Sequence, residues 1–250
     1  MAKRKLLTVA NAKTIKGEKL GILTGILYLA PAMISGRQVC PKASDGCKSV
    51  CLYTAGRGRF TSTQEARIAK TNLFFDDRAG FMAILADNIA AIIRKAKREG
   101  LTPAIRLNGT SDIAWEKISV VVDGVRFRNV MTAFPTVQFY DYTKIAGRKA
   151  AIALPNYHLT FSLAENNDQD AFTAIREGYN LAVVMDLKKD DDKPTQWGGY
   201  PVVDGDLSDV RFLDPKGGHI VALTAKGEAK KDTSGFVRAN VNNQIIARVA

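Results

Sequence analysis

The sequence predicts an α/β fold with a mostly parallel sheet, built as a partial or complete βα barrel of the TIM type. Short apolar or β-branched runs alternate with helical patterns along the second half of the chain, which is typical of βα units. Polar residues follow several of these runs, where parallel α/β folds form their sites. A cysteine-rich loop follows the first predicted strand. An open doubly wound sheet is the alternative, but no GxGxxG motif follows that strand.

The elements are predicted in order from these patterns. Residues 1–20 are rich in lysine and predict an N-terminal arm with a short strand or hairpin, and 20–30 predict the first buried strand. Two helices follow, the first capped by Thr63 and the second ending in a basic turn at Gly100. Later strands are expected within 103–112, 136–144, 158–166, 180–188 and 219–227, with a helix at 168–178.

The polar stretch 188–218 is too long for a simple connection, so it predicts an inserted lid or hairpin within a single domain of residues 1–250. Its DGDLSD motif lacks the distal glutamate of an EF-hand, which favours an ordinary acidic turn over a calcium loop.

Charge and composition restrict the partners. The net charge of +11 favours anionic partners, either nucleic acid or a small anionic or nucleotide-like substrate, although a basic surface also serves solubility. No signal peptide is evident, and the apolar stretch 21–34 is too short to span a bilayer. The sequence therefore predicts a cytoplasmic protein that does not associate with membranes.

All three cysteines lie in one short stretch. Cys40, Cys47 and Cys51 are spaced C-x6-C-x3-C, and their odd number argues against a disulfide framework. Three thiolates can hold a [4Fe–4S] cluster and leave one iron open to a small molecule. The alternatives are a zinc site completed by His158 or, preferably, His219, and three inert thiols.

Polar residues at the predicted strand ends are candidates to surround the open iron. The catalytic candidates are Asn108, Asp112, Asp141, Lys144 and Asp186. An equally weighted interpretation makes RLNGTSD a strand-to-helix turn in which Ser111 or Asp112 caps the next helix.

The run LYLAPAMISGRQVCPKASDGCKSVCLYTAGRG, with ARIAKTNLFF behind it and RLNGTSD later, resembles a family of phage-encoded proteins of unassigned function, the gene product 88 type. This resemblance extends over most of the chain and implies a viral source and a host-cytoplasmic setting.

The order of strand, three-cysteine loop, helix and βα units is also similar to that of radical S-adenosylmethionine (SAM) enzymes. Those proteins hold a four-iron cluster in a partial barrel, and the resemblance implies a bound SAM. Their cysteine spacing is C-x3-C-x2-C, and RLNGTSD stands here where they carry a Gly-Gly-Glu segment.

The first functional hypothesis is therefore an iron–sulfur enzyme. The second is a nucleic-acid-binding protein with a structural or redox-sensing cluster, and the third is a regulator of a host protein.

Overall fold

A computed structural model describes residues 5–10, 12–188 and 191–239. Its helices are α1 (Ala12–Glu18), α2 (Asp45–Ser49), α3 (Thr61–Asp76), α4 (Arg78–Glu99), α5 (Val130–Ala133), α6 (Lys149–Ile152) and α7 (Asp168–Arg176). Its strands are β1 (Leu7–Thr8), β2 (Ile22–Leu27), β3 (Thr102–Arg106), β4 (Val120–Val122), β5 (Val125–Phe127), β6 (Gln138–Thr143), β7 (Tyr157–Ser162), β8 (Asn180–Met185), β9 (Gln196–Trp197), β10 (Tyr200–Asp204) and β11 (Ile220–Thr224). No helix in these ranges is long and apolar enough to cross a membrane.

Nine strands form one sheet in the order β1-β2-β3-β6-β7-β8-β11-β10-β9. The ladders β2–β3, β3–β6, β7–β8, β8–β11 and β10–β11 are parallel. The predicted mostly parallel α/β fold is therefore confirmed. The complete barrel is not found in the described part of the chain, because the sheet ends at the two-residue strands β1 and β9, each paired antiparallel on one side.

The central strands are apolar because helices and connections cover parallel sheets on both faces. All six residues of β2 are buried, and so are five of the six in β8. This double burial explains why these strands appear in the sequence as continuous apolar runs and not as alternating patterns.

The chain divides into two compact units. The first comprises Met1–Pro41, Phe60–Asp141 and Arg148–His158, and the second comprises Lys42–Arg59, Tyr142–Gly147 and Leu159–Ala250. The boundary at Pro41 separates Cys40 from the other two cysteines along the chain.

In the first unit, α4 buries one apolar face and ends at Gly100, as predicted. Helix α3 begins at Thr61 without a side-chain cap, so the predicted cap at Thr63 is wrong. The N-terminal arm holds β1 and then α1, where a strand or hairpin was expected; residues 1–4 and 11 lie outside the described residues. A separate hairpin, β4–β5, turns at Asp123 and Gly124, both with positive φ.

In the second unit, part of the stretch 188–218 extends the sheet. Strands β9 and β10 form a hairpin, and β10 also pairs with β11. The acidic turn that follows is neutralised by lysines, since Asp206 contacts Lys193 at 3.3 Å and Lys226 at 2.6 Å. These ion pairs agree with an ordinary acidic turn in place of a calcium loop.

Candidate functional site

Cys40 lies in the loop after β2, and its thiol contacts a strained point of the backbone at Ala32. The Ala32 N–H donates to Cys40 Sγ at 3.4 Å, and Ala32 has φ 48°, a left-handed value that is uncommon for a residue other than glycine. The Cys40 thiol in turn lies 3.7 Å from the Thr110 carbonyl oxygen. Strained backbone of this kind persists only where its surroundings hold it in place.

The RLNGTSD turn after β3 holds the backbone around Ala32 and Cys40 in place. The Gly109 N–H donates to the Leu27 carbonyl at 3.0 Å, and the Asp112 N–H donates to the Val39 carbonyl at 2.8 Å. Gly109 has no room for a side chain, because a Cβ atom there would come within 2.6 Å of the Leu27 oxygen. The turn therefore clamps both ends of the segment that carries Cys40.

Asn108 organises this turn from within. Its side-chain oxygen accepts from Ser111 Oγ at 2.9 Å, from the Ile113 N–H at 3.0 Å and from Trp115 Nε1 at 3.0 Å. The following 3₁₀ turn, Trp115–Lys117, has no side-chain cap, so the predicted caps at Ser111 or Asp112 are wrong. The oxygen that accepts these hydrogen bonds belongs instead to Asn108, which precedes the turn in the chain.

Asp141 is fully buried beneath the turn. Its Oδ1 accepts from the Asn108 N–H at 2.6 Å, and its Oδ2 accepts from the Tyr157 hydroxyl at 2.9 Å. Burial raises the pKa of Asp141 to about 7, although the Asn108 hydrogen bond and the charge of Arg106 oppose this shift. The structure thus joins two of the predicted site residues, Asn108 and Asp141, in one buried network.

Asp112 belongs to the same network through Arg148. Arg148 forms a bidentate pair with Glu116, with Nε to Oε1 at 3.1 Å, and it lies 3.9 Å from the Asp112 carboxylate and 3.2 Å from the Tyr157 hydroxyl. Both Arg148 and Glu116 are buried. Through Arg148, this buried ion pair links Asp112 to the core.

Cys47 and Cys51 lie in the second unit. Cys47 is within helix α2, and Cys51 follows one turn later at the start of a 3₁₀ turn, Leu52–Thr54. Two of the three cysteines are therefore carried by short helical turns. Ser44 caps the helix by accepting from the Cys47 N–H at 3.2 Å, and Glu165 accepts from Ser44 Oγ and from the Gly46 N–H.

Cys47 packs against an apolar cluster in this unit. The cluster consists of Val50, Ala164, Ala225, Ala229 and Phe236. Lys144 lies above the Phe236 ring at 5.5 Å and donates to Ser162 Oγ at 2.9 Å. The last catalytic candidate, Asp186, is exposed.

None of the three cysteines forms a disulfide, and each is half-buried. As placed, the described residues contain no group of three or more His, Cys, Asp or Glu side chains arranged to hold a metal ion. His219, the favoured zinc ligand, has its Nδ1 2.9 Å from the Gly217 carbonyl oxygen. Thiolates are soft ligands, and iron and zinc are the metals that they suit chemically.

Four residues of these networks were not among the predicted site residues: Glu116, Arg148, Tyr157 and Glu165. Glu165 carried a signal, since it follows strand β7 as the other candidates follow theirs. Glu116 lies in a 3₁₀ turn, Arg148 precedes the short helix α6 as its N-cap residue, and Tyr157 begins β7, so only the tertiary structure brings these three together.

A family model described as Gene product 88 matches residues 5–240 of the chain. No curated protein and no solved structure matches it. The similarity to radical SAM enzymes gains no support from these comparisons.

Proposed function

The chain belongs to the Gene product 88 family, and we propose that it is an iron–sulfur protein of the host cytoplasm that acts on a small anionic or nucleotide-like substrate. Cys40, Cys47 and Cys51 would supply three thiolates to a [4Fe–4S] cluster and leave one iron for a substrate or for SAM.

One observation carries this proposal: both cysteine-bearing segments are held by polar groups that follow parallel strands. In the first unit, the turn after β3 clamps the Cys40 segment. In the second unit, Glu165, after β7, holds the helix of Cys47. Ligand-bearing segments are expected to be oriented in this way by hydrogen bonds from outside the ligand set.

The proposed substrate class follows from Lys144 and Ser162. An ammonium and a hydroxyl 2.9 Å apart offer several donors to a carboxylate or a phosphate. Lys144 also lies on Phe236, whose cluster contacts Cys47, so an anion held there would be in the same unit as two of the thiols. A bound cluster would contribute an open coordination position.

We expect protein purified without air to be brown, with about four irons and four sulfides per chain. Serine variants of Cys40, Cys47 and Cys51 should each lose most of this iron. The exposed Lys42, changed to glutamine, is the matched control and should retain it. Colourless wild-type protein with one zinc per chain would contradict the cluster and favour the zinc alternative. Absence of SAM binding by the iron-loaded protein would remove the SAM version alone.

Nucleic-acid binding is a second candidate function, favoured by exposed basic residues that are close to the cysteines in the sequence. Lys42, Arg57 and Arg59 are all exposed within the segment Lys42–Arg59, and the net charge is +11. Exposed arginines bind phosphates and release counterions, which makes affinity fall steeply with salt.

If this surface binds a single strand, the double variant Arg57→Gln/Arg59→Gln should reduce the slope of log affinity against log salt by about 1.4. Fluorescence anisotropy of a labelled oligonucleotide across a salt series measures it. A double change of Lys230 and Lys231, at the 3₁₀ turn Gly227–Lys231, controls for general charge loss. An equal slope in both variants would contradict a role for the two arginines.

A further inference from the structure

Glu165 grips the N-terminus of the helix that carries Cys47. Its Oε2 accepts from Ser44 Oγ at 2.6 Å, and its Oε1 accepts from the Gly46 N–H at 2.7 Å. Both partners are donors, so both oxygens must be acceptors, which is the pattern of an ionised carboxylate. Hydrogen bonds to a charged acceptor are stronger than those between neutral groups.

A continuous chain of hydrogen bonds links Glu165 to Cys47. Ser44 Oγ donates to Glu165 and accepts from the Cys47 N–H at 3.2 Å. The position of the Cys47 backbone thus depends on Ser44, and the orientation of Ser44 depends on Glu165.

Gly46 shows how closely this contact is fitted. A Cβ atom at Gly46 would lie 2.2 Å from Ser234 Oγ and 2.8 Å from either carboxylate oxygen of Glu165. Ser234 is itself fixed by Asp232, whose Oδ1 accepts from Ser234 Oγ at 2.7 Å. Glycine is required here because the carboxylate approaches the backbone too closely for any side chain.

Helix α2 cannot hold this geometry alone. It has five residues, far fewer than an isolated helix needs in water, and its nucleus is costly. Its shape must therefore come from groups outside it, and Glu165 satisfies the amide of Gly46 and the capping hydroxyl of Ser44 together.

We infer that Glu165 is the positioning residue that sets the place and accessibility of the Cys47 thiol. The role of Glu165 in placing a metal ligand rests on the proposed function, whereas its effect on Cys47 in the metal-free protein does not. Glutamine at position 165 would keep the size but turn one acceptor into a donor facing Gly46 N–H or Ser44 Oγ. Aspartate keeps both acceptors on a shorter stem.

The test compares alkylation rates of the individual thiols in metal-free protein, mapped by mass spectrometry. Loss of a charged hydrogen bond should make Cys47 react about tenfold faster in Glu165→Gln, with a smaller change in Glu165→Asp. Cys40, in the other unit, should react at its usual rate. Asp45→Asn is the matched control, because Asp45 is an exposed carboxylate on the same helix and forms its ion pair with Lys48, not with Cys47 or Ser44.

Iron content after anaerobic loading is the second readout, and circular dichroism establishes that each variant is folded. Lower iron in Glu165→Gln with full iron in Asp45→Asn supports the inference. An unchanged Cys47 rate in a folded Glu165→Gln protein overturns it, whatever the iron content. Wild-type protein that binds no iron, combined with a faster Cys47 in Glu165→Gln, defeats the iron–sulfur proposal and leaves the positioning role standing.

Discussion

Replacement of Glu116 by alanine is expected to lower the free energy of unfolding by about 3–5 kcal/mol, because it leaves a buried guanidinium without its bidentate partner. Glu116 is 4% exposed and Arg148 is 3% exposed. Arg148 has two short hydrogen bonds to this carboxylate, whereas its contact to Asp112 is a 3.9 Å ion pair. Neither Asp112 nor the Tyr157 hydroxyl can replace the lost pair in that geometry.

Urea denaturation of wild type and variants measures the effect. Glu99→Ala, an exposed glutamate on the same unit with only weak ion pairs at 3.8 and 3.9 Å, should change stability by no more than about 0.5 kcal/mol. The double variant Glu116→Leu/Arg148→Met should recover much of the loss, since removing both charges also removes the uncompensated one. A Glu116→Ala variant no less stable than Glu99→Ala would show that the pair is not coupled to folding.

This pair also reaches the cysteine segment. Arg148 contacts Asp112, and the Asp112 N–H holds the Val39 carbonyl next to Cys40. The predicted site residues Asn108, Asp112 and Asp141 thus have buried partners. Their structural role is to support the loop that carries Cys40.

Much of the fold could be predicted because its main elements have strong local signals. The strands β2 and β8 are continuous buried runs, and α4 has both an apolar face and a glycine stop. The hairpin β4–β5 also had a signal, since VVVDGVRF places Asp-Gly between a run of three valines and the strand-forming Val-Arg-Phe. The periodicity of the chain is therefore sufficient to predict the central strands and the large helices.

Elements that depend on tertiary contacts could not be predicted in this way. Helix α2 is too short for a periodic pattern, and Glu165, which holds it, is more than a hundred residues away in the sequence. The two-residue strands β1 and β9 have no pattern of their own and form only against a neighbour. The residues of the candidate site could be predicted from their types and positions. Which of them form hydrogen bonds or ion pairs with one another depends on packing and could not.

Stability is also expected to fall as the pH rises from about 4 to about 7, through the buried carboxyl group of Asp141. Its pKa is raised from 3.8 to about 7 by burial. Between these values the folded protein keeps a proton that the unfolded chain has released, so each increase in pH favours unfolding. Above about 7 both states are ionised and this contribution becomes constant.

Asp141→Asn should remove this dependence. Asparagine keeps an oxygen for the Asn108 N–H, and its amide can donate to the Tyr157 hydroxyl oxygen. The difference in unfolding free energy between variant and wild type should therefore grow with pH by at most about 1.4 kcal/mol per unit inside the window. Urea titrations at a series of pH values measure it, and a difference that stays constant with pH would contradict the buried titration.

The variant Tyr157→Phe separates the causes of the pKa shift of Asp141. The Tyr157 hydroxyl donates to Asp141 Oδ2 and so favours the ionised carboxylate, which lowers its pKa against the larger effect of burial. Without that hydroxyl the pKa of Asp141 should rise further, so the upper end of the window should move above pH 7. The lower end should stay in place, because it is set by the unfolded chain. A window whose lower end moved instead would indicate a different titrating group.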